Sequence, residues 1–191
     1  LYSTDFGINM GAANYLGEMG GKEKAGRPWI LDMKMNQTKS VVGGFYRHRF
    51  KEKLGLNVGL NWGRISGADS LSTNPGRVGR NLSFRNDIIE LSARGEYYFY
   101  HINDVGHTGR YQVDFKSYVF LGVAGYYSNP KAQYNGSWVA LQPLQTEGQS
   151  YSKMNFSLPI GLGLFYTYKK NHRIGWEYGV RKTFTDYLDD V

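Results

Sequence analysis

Seven charged residues at alternating positions are the part of this chain best suited to chemistry: Arg47 and Arg49, then Glu90, Arg94 and Glu96, then Glu177 and Arg181. Carboxylates and guanidiniums enclosed together could form an acid–base constellation, but the commoner use of enclosed opposite charges is structural pairing. Histidine adds little. No HExxH and no closely spaced histidine pair among His48, His101, His107 and His172 suggests zinc. A Ser/His pair that hydrolyses or transfers acyl chains would need His48 as its base, and no serine obviously faces it. The sequence holds no cysteine, so there is no disulfide framework and no thiolate metal site. Gly161-Leu162-Gly163 lacks the strand-to-helix switch of a dinucleotide turn. Asp186, Asp189 and Asp190 could attract a divalent cation, but their spacing fits no defined calcium loop and reads as a solvated segment. The expectation is therefore no catalytic residue, no cofactor and no metal.

The elements that must position these charges are strands. In LGLNVGLNWGR, Leu54, Leu56, Val58, Leu60 and Trp62 share one face, and Gly55, Asn57, Gly59, Asn61 and Gly63 share the other. Strict alternation over this length is a strand signal, and a polar face made mostly of glycine suits side chains crowded into a narrow enclosed space. The same period returns at Phe6–Ala12, Ile89–Phe99, Phe156–Tyr168 and Ile174–Val180. Two further runs, Val41–Phe50 and Phe115–Tyr127, are less clean, the second being apolar on both faces. A large apolar face opposite a small polar one predicts an all-β, antiparallel transmembrane barrel, a single domain over residues 1–191. In a barrel of eight strands the interior is only wide enough for side chains, so Arg47, Arg49, Glu90, Arg94, Glu96, Glu177 and Arg181 are expected to form a salt-bridged plug.

Composition agrees with this architecture. Sixteen tyrosines, ten phenylalanines, four tryptophans and 25 glycines are many for a soluble domain of 191 residues, and aromatic girdles plus interior glycines would use them. A mean hydropathy of −0.50 is no objection, because only alternate barrel residues face lipid. The net charge of +7 invites a nucleic-acid reading, but the basic residues are scattered and offer no continuous track for a phosphate backbone, so none is expected. The expected location is the outer membrane, crossed many times, with lipid against the apolar faces.

Connection lengths order the strands, since such barrels use short periplasmic turns and longer external loops. Gly17–Lys39, Ser66–Asn86 and Ser128–Lys153 read as external, Lys51-Glu52-Lys53 and Lys169–His172 as tight inner turns, and His101–Asp114 as an extended inner connection. Seven strands would leave the last one ending outside, so an eighth is expected beyond Val191.

Five segments resemble the PorG family of outer-membrane proteins: Asn14-Tyr15-Leu16-Gly17, Arg80-Asn81-Leu82-Ser83-Phe84, Asn129-Pro130-Lys131-Ala132, the loop Trp138–Leu144 followed by Thr146–Gln149, and the ending Thr183–Val191. They span nearly the whole chain in the family's order. The resemblance implies a non-enzymatic component of the type IX secretion system, in bacteria where the same machinery can support gliding, associated with the periplasmic ring of PorK and PorN and with other type IX components as further contacts. It also implies a further strand after the aspartate-rich ending. Given that partner, the inner connections are the expected contact surface: His101, Asp104, His107 and Arg110, with Lys51, Lys53, Lys169 and Lys170. The alternative is a stand-alone barrel, acting on lipid as an acyl hydrolase or transferase, or serving as a passive channel.

Overall fold

The computed structural model describes residues 4–13, 39–68, 83–102, 114–134, 137–140, 152–169 and 172–184. Its strands are β1 (Thr4–Ala13), β2 (Lys39–Arg49), β3 (Leu54–Ala68), β4 (Ser83–Ile102), β5 (Asp114–Tyr134), β6 (Ser137–Ala140), β7 (Met154–Tyr168) and β8 (His172–Thr183). All pairings are antiparallel and follow chain order, β1-β2-β3-β4-β5-β7-β8, with the short β6 paired to the far end of β5. The sheet curls into a barrel-like shell, and its two edge strands, β1 and β8, are not hydrogen-bonded to each other among the described residues. The seven alternating runs are thus the seven long strands. The additional strand inside the chain, β6, only extends a hairpin.

The distribution of polarity is inverted relative to a water-soluble sandwich. Fourteen polar or charged residues but only seven hydrophobic ones are buried among the described residues. On the outer face Phe6, Ile8 and Met10 are 88, 78 and 79% exposed. Sequential rows cross the sheet in register: Leu56 lies opposite Gly95, Gly95 opposite Leu121, Leu121 opposite Ile160 and Ile160 opposite Val180. From the Leu54–Tyr97–Val119 row to the Trp62–Ile89–Tyr127 row this outer band is apolar over about 27 Å of strand, at about 3.4 Å per residue.

Local irregularities have sequence causes. In β4 the register against β5 shifts between Tyr98 and Tyr100, so that Phe99 and Tyr100 both face outward in succession while Tyr98 turns in. Pro159 interrupts the β5–β7 ladder, which is paired at Leu121–Ile160 and resumes at Ala124–Ser157, because proline has no N–H to donate. On the inner face, Gly161 permits a close approach. A Cβ there would collide with the Tyr178 carbonyl and the Phe120 ring.

Several connections are shorter than the alternation predicts. The segment Ser128–Lys153, read as one long loop, is strand through Tyr134 and again over Ser137–Ala140. Likewise β3 continues to Ala68 and β4 begins at Ser83, inside the loop expected over Ser66–Asn86. His101, assigned to the extended connection, is still part of β4. Beyond the apolar rows the outward residues turn polar and the inward ones are mixed, Ile65 and Ile88 beside Asn86 and Ser128, so the period that marks a strand disappears from the sequence while the ladder continues.

Candidate functional site: an enclosed charge network

The central residue is Arg47 of β2. Its cross-strand partners are Asp5 on β1 and Asn57 on β3, and the diagonal positions Gly7, Gly55 and Gly59 carry no side chain into the interior. The Arg47 Nε donates to Glu96 of β4 at 3.0 Å, and one terminal nitrogen donates to the Tyr118 hydroxyl at 2.8 Å and to Glu177 of β8 at 3.2 Å. Three rings surround the same cation, those of Phe45, Tyr118 and Phe165 at 5.2, 4.9 and 5.4 Å.

The two carboxylates are held from several sides. Glu96 accepts from Asn57 at 2.9 Å and from the Tyr98 hydroxyl at 2.5 Å. Glu177 accepts from the Tyr118 hydroxyl at 2.5 Å and from Arg94 at 2.8 Å, and the Arg94 guanidinium lies 4.6 Å from the Phe120 ring centroid. Nearer the long-loop end, Arg181 of β8 grips Glu90 of β4 through two nitrogens, at 2.6 and 3.0 Å. Asn61 also donates to Glu90, at 3.4 Å, and Asn9 donates to Asn61 at 2.7 Å. Three arginines and three glutamates therefore balance, and each glutamate is engaged by at least one arginine.

Of the expected plug residues, the structure brings Arg47, Glu96, Glu177 and Arg94 into one network and Glu90 with Arg181 into a second. Arg49 is buried on the inner face as expected. Other interior groups lie outside that expected set. Asp5 of β1 and Arg173 of β8 form an ion pair across the unpaired edges, and Arg173 also donates to Thr167 at 3.2 Å. Lys116 pairs with Asp114 at 3.3 Å, both nearly enclosed. The aromatic cluster of Tyr98, Tyr118, Phe120 and Phe165 lies inside as well. An apolar-on-both-faces run such as Phe115–Tyr127 gives no sign of which face is enclosed, and that ambiguity hid Tyr118 and Phe120.

The expected contact residues are placed only in part. Lys51, Lys53, Lys169 and His101 are exposed at the short-turn end, Lys169 with a left-handed φ of 48°. Asp104, His107, Arg110 and Lys170 lie outside the described residues, as do Asp186, Asp189 and Asp190. His48 faces outward at the same end and its Nδ1 lies 2.9 Å from the Thr4 hydroxyl, so the group beside it is a threonine. Among the described residues no carboxylate bonds His48 to orient it as a base.

No curated protein and no solved structure matches the chain. A family model does, over residues 3–191, and with that coverage of an all-β shell filled by paired charges, the chain belongs to the family described as a domain of unknown function, DUF6089.

Proposed function

We propose that this protein is a non-enzymatic outer-membrane barrel of the type IX secretion machinery, docking the periplasmic PorK and PorN ring to the membrane. The observation that carries the partner is the ordered set of five PorG-like segments, from Asn14-Tyr15-Leu16-Gly17 to Thr183–Val191. An apolar outer band around a polar interior supports the membrane part of the reading, since water would not leave such a band uncovered. Balanced ion pairs across the interior support a scaffold over a conduit. The exposed Lys51, Lys53, Lys169 and His101 share the short-turn end, where a periplasmic ring would meet the barrel.

The test is replacement of residues 101–114 by a tight turn in the full-length protein. The variant should reach the outer membrane and fold, lose co-purification with the ring and stop type IX secretion. Unchanged ring association and secretion would eliminate this docking surface. The second reading, an acyl hydrolase or transferase, has one observation in its favour, the Thr4–His48 contact. It predicts acyl release from phospholipid by the purified protein that His48→Ala abolishes, and the docking reading predicts none.

A further inference from the structure

At the long-loop end, the outer face changes character within two rows. Above Trp62, Ile89 and Tyr127 comes the row Arg64, Asp87 and Asn129, and above that Arg85 lies directly opposite Lys131. All these side chains share the outward parity of the apolar band beneath them. Asp87 is taken by Arg64, at 2.6 Å. Arg85 and Lys131 have no carboxylate partner among the described residues, and the Arg85 Nε is shielded from solvent without a hydrogen-bond acceptor. The Arg85 guanidinium is steered by the Trp138 ring, 4.8 Å away on β6, and Arg64 by Trp62 at 5.8 Å. Two like charges directly across an antiparallel pair repel unless an anion lies between them.

We propose that Arg85, Lys131 and Arg64 form a binding site for the phosphate of an outer-leaflet lipid, whose acyl chains lie along Trp62, Ile89, Tyr127 and Leu91. A forked guanidinium and an ammonium suit a phosphate dianion, and the adjoining apolar band selects a phosphate that carries hydrocarbon over a free one. Placement of this end in the outer leaflet rests on the outer-membrane reading above. The extension of β4 and β5 past the apolar rows and the packing of β6 on β5 are what bring the three cations and Trp138 together.

The probe is bisphosphorylated lipid A in uncharged detergent, added to the purified full-length protein and scored by native mass spectrometry. Wild-type protein should retain the lipid, and R85Q/K131Q should bind it at least about tenfold more weakly, from two lost near-surface cations. D87N, which removes the only carboxylate described in the patch, should bind it more tightly, a gain that damage to the fold would not produce. Dephosphorylated lipid should bind all three proteins alike, and millimolar inorganic phosphate should not displace the lipid. Insertion of both wild-type and R85Q/K131Q into phosphatidylcholine vesicles, with equal lipid A capture, overturns the site alone. Full displacement by inorganic phosphate also overturns it, and failure of the wild-type protein to insert removes the membrane reading together with the site.

Discussion

At the scale of single residues, Arg47 ties three strands together, because one guanidinium from β2 reaches Glu96 on β4 and Glu177 on β8. Removing one partner of a buried pair leaves the other charge short of compensation, which costs more than the pair contributes. Glu96→Gln should therefore destabilise the fold by about 3 to 5 kcal/mol, read as a lower urea midpoint for the protein in vesicles. Glu177 has a side chain 32% exposed, so water screens part of the loss, and Glu177→Gln should cost only about 1 to 2 kcal/mol. Both compensate Arg47, so either single variant leaves it one carboxylate and the double leaves it neither; the double variant should exceed the sum, by about 0.5 kcal/mol or more. A strictly additive cycle would show that the two carboxylates act separately.

At the scale of elements, the strands were legible wherever one face was apolar and the other small or polar. That held for Leu54–Trp62 and Phe156–Tyr168, which the structure places in β3 and β7 with the expected faces. It failed where chemistry on the two faces converged: Arg85, Asp87, Asn129 and Lys131 continue β4 and β5 but look like loop. It failed also for pairing across the edges, since nothing local to Asp5 or Arg173 announces that residues 168 positions apart will meet. The charged plug residues were legible because strand parity alone assigns them to the inner face, whereas their partners depend on curvature. A sharp test of the elements lies on the outer face, where Val58 and Ile160 are 38 and 49% exposed. In water an arginine at such a site would change stability by less than about 0.5 kcal/mol. At a bilayer midplane Val58→Arg or Ile160→Arg should cost about 2 to 4 kcal/mol, measured by unfolding from phospholipid vesicles.

At the scale of the whole molecule, the described inward side chains lie in layers: Asp5 with Arg173, then the Arg47 network, then Glu90 with Arg181, then the apolar pair Ile65 and Tyr126. Planar bilayers holding the purified protein should show no steady single-channel conductance. An open-pore current would require these pairs to part, and its observation would overturn the plug. Glu96→Gln, by loosening the central layer, is the variant in which brief openings should first be seen.

The unequal strand lengths give the barrel a bearing as well as an axis. Among the described residues, β4 and β5 run for 20 and 21 residues while β1 and β2 run for 10 and 11. Part of the excess lies past the Trp62–Ile89–Tyr127 row, where β5 continues for seven residues, about 24 Å of strand, joined by β6. One flank thus carries a stiff hydrogen-bonded mast. A partner approaching from that side would meet a wall before it met the rim. On the proposed ring, neighbouring copies would each hold a preferred compass direction, their masts arranged as a palisade facing one way.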